Sequence, residues 1–256
     1  MPSLEIQYIP ILSDNYAYLA HDPGTGATAA VDPAVAGPVC AALDRLGWKL
    51  THILNTHHHD DHVGGNMELK RATGCKIVGS RAEASSTPGV DMEVGEGDEV
   101  AIGGQTARVF LVPGHTRGHV AYWFEDSRAL FSGDALFSLG CGRLFEGTAE
   151  QMWSSLSKLR ALPDETNVYC AHEYTSANAD FALTIEPGNA ALKARAENVQ
   201  ALRWAGKPTV PSTMAEEKTA NPFLRADQPE LIKAAGLAGK DAVSVFAEIR
   251  RRKDRF

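Results

Sequence analysis

The feature that most constrains this chain is a run of four histidines and two aspartates in six consecutive positions, residues 57–62. The apolar, β-like segment HILNT (52–56) precedes the run, and two glycines (64–65) follow it closely. This order predicts a strand that ends at the run and then a tight turn into a helix. The fold is therefore expected to hold a dense group of imidazoles and carboxylates at the end of a strand.

The spacing within the run is typical of metal ligands. Alternate side chains of an extended segment share a face, so we expect His57, His59 and Asp61 to point one way. We expect His62, at the turn into the helix, to swing back towards the same pocket. Three imidazoles and a carboxylate form a donor set suited to zinc.

Three further candidates end β-like segments elsewhere: His115 in VPGHTRGH, Asp134 in LFSGDALF and His172 in YCAHEY. Each of them alone has an ordinary explanation as a capping or hydrogen-bonded residue. Open α/β layers build their sites at strand ends, and all three share that placement. The sequence therefore predicts one site that gathers them with the run at 57–62.

The chain changes character near residue 172. Short β-like runs alternate with helical segments up to that point, and helical spacing dominates afterwards. Capping-box pairs predict helix starts at Thr148 with Gln151 and at Thr213 with Glu216. We therefore expect an α/β domain over 1–172 and an all-helical domain over 173–256.

Composition narrows the partners. The 256 residues carry a net charge of −7, which argues against nucleic acid as a partner. The sequence contains no run of about 18 apolar residues, so we expect no membrane span. The start of the chain does not resemble a secretory signal. The four cysteines are scattered, as in a protein of a reducing compartment. We expect a cytoplasmic protein, by default a monomer.

The motifs together resemble the metallo-β-lactamase superfamily. The segment THHHDDH (56–62) is similar to its THxHxDH signature, and GHTRGH, SGD and AHEY are similar to its later motifs. The resemblance implies an αββα sandwich with metals at one edge and two divalent ions that share a hydroxide nucleophile. Zinc is the expected metal, with iron and manganese as alternatives. The implied ligands are His57, His59 and His115 for one ion, Asp61, His62 and His172 for the other, and Asp134 as a bridge.

In this arrangement Asp61 and Asp134 are the catalytic carboxylates, because they hold the ions that carry the shared hydroxide. His58, Asp60 and His119 are not ligands and are expected to support the ligands or the loops around them.

Segments outside the metal motifs resemble glyoxalase II, the hydroxyacylglutathione hydrolases, almost end to end. They are CGRLFEGT (141–148), CAHEYT (170–175), PSTMAEE, NPFLR and the terminal RRRKDRF. The resemblance implies a thioesterase that converts S-lactoylglutathione to lactate and glutathione, the second step of methylglyoxal detoxification. The implied glutathione-binding residues are Arg143, Phe145, Tyr174, Arg250 and Lys253.

Two of these positions depart from the family pattern. Family members often carry Lys at the position of Arg143 and Tyr at the position of Phe145. Arg143 keeps the positive charge, whereas Phe145 lacks the phenolic hydroxyl. The basic run RRRKDR would meet an anionic substrate on a protein of negative net charge.

Other functions fit part of the pattern. A glutathione persulfide dioxygenase would need one iron, held by His57, His115 and Asp134. A lactonase or β-lactamase would keep the two metals without a glutathione site, and a non-catalytic module would hold its metals in closed coordination. The sequence leaves open the identity of the metals and the preferred acyl group.

Overall fold

The computed structural model describes residues 3–256, and the chain divides into two compact units. The first comprises the chain up to Leu111 together with Arg117–Gly133, and the second comprises Val112–Thr116 together with Asp134–Phe256. Among the described residues, no helix has the length and apolar character needed to cross a bilayer.

A six-stranded sheet of mixed direction opens the first unit. Its strands are β1 (Glu5–Ile11), β2 (Asn15–His21), β3 (Ala27–Val31), β4 (Lys49–Leu54), β5 (Lys76–Ser80) and β6 (Met92–Val94). The first three strands pair antiparallel, and β3 to β6 pair parallel. Ile11 pairs with Asn15 across the first turn, so β1 and β2 form a hairpin.

Three helices accompany this sheet: α1 (Ala36–Leu46), α2 (Asp60–Val63) and α3 (Asn66–Thr73). Helix α1 buries Val39 and Leu43 on one face, and they join a core with Ile53 of β4 and Leu69 of α3. The helix ends at Gly47, whose φ of 68° favours a residue without a side chain. The apolar side of β4 is thereby fixed against the helices, and its end delivers the histidine run.

A second group of strands in the same unit forms an antiparallel meander. Its members are β7 (Glu99–Ile102), β8 (Gln105–Leu111), β9 (Val120–Phe124) and β10 (Ala129–Gly133), adjacent in the order β10-β9-β8-β7. Every residue of β9 and β10 is buried, so both faces of these strands are covered. The rings of Tyr18 on β2 and Phe131 on β10 lie 5.6 Å apart and join the two groups of strands. The sandwich predicted from the sequence is therefore present.

Helices dominate the second unit, as the sequence predicts. They are α4 (Ala149–Arg160), α5 (Thr175–Ile185), α6 (Ala190–Trp204), α7 (Met214–Ala220), α8 (Pro229–Ala234) and α9 (Ala242–Lys253). Both predicted capping boxes are formed, at Thr148 with Gln151 and at Thr213 with Glu216.

The second unit also contains two short antiparallel strand pairs. One is the hairpin of β11 (Leu136–Phe137) and β12 (Gly140–Cys141), and the other joins β13 (Asn167–Cys170) with β14 (Ser212–Thr213). Strand β14 lies among the helices, and the sequence pattern did not predict it because two residues are too few for a periodic signal.

Candidate metal centre

The histidine run leaves strand β4 in extended form and then coils. His59 has φ −63° and ψ 144°, which is extended, and Asp60–Val63 form one turn of helix α2. The prediction that Asp61 continues the extended alternation is therefore wrong. The two glycines at 64–65 lie against backbone oxygens of Pro33 and Ala34. This close packing turns the chain directly after the histidine run and keeps His62 beside the other histidines.

A buried carboxylate sets the ring orientation of His57. Asp32 accepts hydrogen bonds from the backbone N–H of Thr56 at 2.8 Å and from its hydroxyl at 2.7 Å. Because the Thr56 hydroxyl proton is thus used, its oxygen accepts from Nδ1 of His57, 3.1 Å away. The opposite nitrogen of His57, Nε2, lies 3.0 Å from Nδ1 of His59 and is left in the form that binds a metal.

The same carboxylate orients His62. Its second oxygen lies 3.1 Å from Nδ1 of His62, and both residues are almost fully buried. Nε2 of His62 then faces Asp61 Oδ2 at 3.5 Å. Asp61 itself is held by Asn15, whose amide donates to the side chain at 3.0 Å and to the backbone oxygen at 3.2 Å. The β1–β2 hairpin thereby fixes one carboxylate of the run.

In the second unit, His115 and His172 lie beside the two different oxygens of the Asp134 carboxylate. Nε2 of His115 lies 3.4 Å from Asp134 Oδ2, and Nε2 of His172 lies 3.4 Å from Asp134 Oδ1. His115 donates from Nδ1 to the backbone carbonyl of Arg143 at 2.9 Å, so its Nε2 carries no proton in the neutral ring. This geometry suits a carboxylate that contacts two cations.

Each unit gathers a donor group of its own: in the first, His57 Nε2 lies 3.0 Å from His59 Nδ1 and His62 Nε2 lies 3.5 Å from Asp61 Oδ2, and in the second His115 and His172 lie 3.4 Å from Asp134. Ligands of a tetrahedral zinc ion with bonds of about 2.0–2.1 Å lie roughly 3.4 Å apart, so such groups fit a divalent ion.

The sequence reasoning missed Glu83, a buried carboxylate that joins two of the loops. Its oxygens accept the backbone N–H of His58 at 3.0 Å and that of Gly118 at 2.8 Å. Nδ1 of His58 lies 3.0 Å from the same carboxylate, which gives His58 the supporting part predicted for it. A side chain on Gly118 would collide with Glu83 and Ala82. Glu83 follows strand β5, and its lone position in the sequence carried no pattern.

His119 and Gly133 support the strand ends. The ring of His119 stacks on that of His57, with centroids 4.7 Å apart, and is fully buried, in agreement with a supporting part. Gly133 has φ 49°, and a Cβ there would lie 2.3 Å from the Thr56 hydroxyl and 2.9 Å from His119. Only glycine fits immediately before Asp134, and the SGD motif records this constraint.

The predicted substrate-binding residues differ in exposure. Arg143, Phe145 and Tyr174 are exposed. The ring of Phe145 lies 5.1 Å from that of His115, and the ring of Tyr174 stacks on His172 at 4.6 Å. Two of the three therefore contact a predicted metal ligand directly.

Arg250 and Lys253 of helix α9 are less exposed than the sequence pattern of a basic terminal run suggests. Arg250 is 5% exposed and donates to the carbonyl of Cys141 at 2.9 Å, with Asp254 as its ion-pair partner. Lys253 donates to the carbonyl of Ala177 at 2.7 Å. Burial first, and then the positive charges of Arg250 and Arg143, lower the pKa of Lys253 to about 8, against an opposing effect of Asp180. The side chains of Arg143, Arg250 and Lys253 therefore lie close enough for their charges to interact.

Cys141 and Cys170, the two cysteines in the segments of the site, are both buried. Burial raises the pKa of Cys141 to about 11 and that of Cys170 to about 12. Burial therefore disfavours the thiolate, the form in which a cysteine acts as a nucleophile.

Comparison with known proteins identifies the family. The sequence model described as the metallo-β-lactamase superfamily matches residues 22–172, and that described as the hydroxyacylglutathione hydrolase C-terminus matches residues 173–256. The predicted fold, an α/β metallo-β-lactamase sandwich followed by a helical region, is confirmed.

Similar proteins match along the whole chain. A hydroxyacylglutathione hydrolase of Methylococcus capsulatus is 64% identical over 99% of both chains. A second hydroxyacylglutathione hydrolase, from Rhodospirillum rubrum, is 59% identical over 100% of both. The crystal structure of ETHE1 from Myxococcus xanthus superposes with a TM-score of 0.69 at 29% identity, covering 96% of this chain and 90% of that one. The chain therefore belongs to the hydroxyacylglutathione hydrolases, a family of metal-dependent hydrolases within the metallo-β-lactamase superfamily.

Proposed function

We propose that this protein hydrolyses S-(2-hydroxyacyl)glutathione thioesters, and S-lactoylglutathione in particular, to the free acid and glutathione. In this function it completes methylglyoxal detoxification in the cytoplasm. The observation that carries the proposal is the close arrangement of His and Asp donors within each unit in a chain whose full-length relatives are named hydroxyacylglutathione hydrolase.

The donor groups support a centre for two divalent ions. We assign His57, His59 and His115 to one ion, and Asp61, His62 and His172 to the other. Asp134 would contact both, since its two oxygens face different histidines at 3.4 Å. Nitrogen-rich sites with carboxylates suit zinc, with iron and manganese as alternatives.

Hydrogen bonds within the chain orient the histidine rings for such a centre. Divalent ions, when bound, lower the pKa of water and polarise a carbonyl group. Asp32, Thr56 and the carbonyl of Arg143 each engage one ring nitrogen of a histidine, and this leaves the other nitrogen aimed at the centre. The imidazoles therefore need no reorientation when an ion arrives.

A thioester needs little help at its leaving group. A thiol has a pKa of about 8.5, so glutathione can depart as thiolate without a strong general acid beside it. The chemistry then requires only a nucleophile, stabilisation of the oxyanion and a grip on glutathione.

Arg143, Arg250 and Lys253 are the groups proposed to grip the anionic glutathione. Burial and then the charges of Arg250 and Arg143 lower the pKa of Lys253, and a bound carboxylate would offset the repulsion among the three cations. Tyr174 and Phe145 lie against His172 and His115. They would contact the part of the substrate between these three cations and the metals. Phe145 offers an apolar edge there in place of a phenol.

One preparation tests the proposal. Purified protein is analysed for metal content and assayed with S-lactoylglutathione, beside the variants His172→Ala and His52→Ala. His52 is a histidine of β4 outside the donor groups, so its variant controls for general loss of imidazole. We expect two ions per chain and rapid thioester cleavage in the wild type and in His52→Ala, whereas His172→Ala should lose one ion and the activity. Metal-loaded protein that does not cleave the thioester, or that carries one iron and consumes oxygen, contradicts the proposal.

A further inference from the structure

The β11–β12 hairpin, residues 136–141, is bonded throughout by side chains of the helical region. Partners come from four helices and from the residue that ends one of them. The bonds run from Asn178 to Ser138 O (3.0 Å), Arg195 to Ser138 Oγ (3.3 Å), Leu139 N to Glu217 (2.8 Å), Asn221 to Phe137 O (3.2 Å) and Gly140 O (3.0 Å), and Arg250 to Cys141 O (2.9 Å).

These partners are all buried, and Glu217 and Asn221 are completely so. Burying a polar or charged group is costly unless it is hydrogen-bonded, and burial raises the pKa of Glu217. A short connection between two strands does not ordinarily need five such groups. Their concentration on six residues indicates that the exact conformation of the hairpin matters.

The hairpin itself is tightly constrained. Leu139 adopts φ 57°, a left-handed conformation that is uncommon for leucine. A side chain on Gly140 would lie 2.4 Å from the amide of Asn178. Asn221 also donates to Glu217 at 2.9 Å, so the two buried groups act as one clamp.

The ends of the hairpin carry the metal site. Asp134 lies two residues before it, and a Cβ on Gly142 would lie 2.1 Å from the backbone oxygen of Asp134. Arg143 follows Gly142, and its carbonyl accepts the hydrogen bond from Nδ1 of His115. A shift of the hairpin would therefore move the Asp134 carboxylate and release the ring of His115.

We propose that the helical region positions two ligands of the metal centre, His115 and Asp134, through the 136–141 hairpin. Asn221 and Glu217 are the positioning residues, and they touch neither ligand. The helices then serve the metals as well as the substrate. This inference rests on the proposed metal centre, and it concerns metal retention, which can be measured without the thioester reaction.

The alternative is that the buried network only stabilises the helical region. A matched variant separates the two. Asn189 also caps a helix, accepting from Leu192, and its amide donates to Glu186 and Thr219. It makes a similar number of hydrogen bonds in the same unit, and these bonds join it to Glu186, Leu192 and Thr219, which lie outside the hairpin.

The experiment compares Asn221→Ala, Asn178→Ala and Asn189→Ala in the full-length, metal-loaded protein. Metal release to a competing chelator and the visible spectrum of the cobalt-substituted protein are followed, together with Tm. We expect the Asn221 variant to hold metal at least about tenfold more weakly, as for other groups that orient ligands, and to show an altered cobalt spectrum. Asn189→Ala should retain metal within about twofold despite a similar fall in Tm.

Equal metal retention in the Asn221 and Asn189 variants overturns the inference. If Asn221→Ala does not fold, Asn178→Ala, which removes one bond to the hairpin, decides by the same comparison with Asn189→Ala. A wild-type protein without metal overturns both the inference and the proposed function. A metal-loaded wild type that cleaves no thioester overturns the function alone, because the chelator comparison still reports on positioning.

Discussion

Asp32 faces His62 Nδ1 at 3.1 Å and Thr56 Oγ1 at 2.7 Å with the same oxygen. One buried carboxylate therefore sets the ring of His62 directly and the ring of His57 through the Thr56 hydroxyl. Asp32 adopts φ 48°, a left-handed conformation that costs free energy and that tends to persist where it serves a site. Two predicted metal ligands thus depend on one residue that belongs to a different strand.

Replacing this carboxylate should weaken metal binding. In Asp32→Asn the side chain loses its charge, and its amide nitrogen opposes either Thr56 or His62. We expect metal affinity to fall by about 10- to 100-fold, as is usual for groups that orient ligands, measured by competition with a chelator. Asp22→Asn is the control, since Asp22 is also buried and bonded to backbone N–H groups of its own turn and of Gly104. Equal metal loss in both variants would refute the proposal that Asp32 orients the two histidines.

The KM for glutathione thioesters should depend on the protonation of Lys253. Its pKa is lowered to about 8, first by burial and then by Arg250. The ammonium form, which attracts the anionic substrate, is therefore present below about pH 8 and is lost as the pH rises through that value. We expect KM to rise across pH 7–9, while kcat changes less over the same interval.

The matching variants show whether Lys253 is responsible. Lys253→Met should raise KM at pH 7 and remove the step near pH 8, whereas Lys240→Met, at an exposed position, should keep the wild-type profile. A KM step that survives in Lys253→Met would assign the titration to another group.

Several parts of the site were readable in the sequence because they are local. Glycines at 64–65 and 133 mark places where the backbone passes so close to other atoms that a side chain cannot fit. The capping boxes depend on residues only three positions apart, so they can be recognised in the sequence. The positions of the candidate ligands at strand ends followed from the same local patterns.

Other parts arise only when distant segments meet. Helix α2 was not predicted, because the run from His59 to His62 has no helical periodicity and its turn depends on packing beside Pro33. The burial of Arg250 on Cys141, 109 residues away, cannot be read from a terminal basic run. The ligand roles of the seven residues and the boundary between 172 and 173 stay predictions.

The buried state of Arg250 changes what its substitution should do. Its guanidinium bonds Cys141 and Asp254 and lies 5.0 Å above the ring of Phe223. Arg250→Met leaves the Cys141 carbonyl without this donor, at a cost of about 1–3 kcal/mol. In a chain of this size that lowers Tm by roughly 2–4 °C per kcal/mol. We therefore expect lower Tm together with higher KM, measured by calorimetry and by thioester kinetics.

Lys253→Met serves as the comparison for Arg250. It should raise KM with a smaller change in Tm, because Lys253 makes fewer buried bonds. In the double variant we expect KM to rise more than kcat falls. An unchanged KM in the double variant would remove both residues from the substrate site.

Glu83 joins the loop of His58 to the loop of Gly118 by accepting one backbone N–H from each. In Glu83→Ala both N–H groups lose their acceptor in a buried place, at about 1–3 kcal/mol each. We expect a fall in Tm and a faster loss of metal to chelators, because the two loops also carry His57, His59 and His115. Glu93→Ala, at an exposed position of β6, is the control and should behave as wild type in both measurements. If Glu83→Ala lowers Tm and leaves metal release unchanged, the residue stabilises the loops without affecting the ligands.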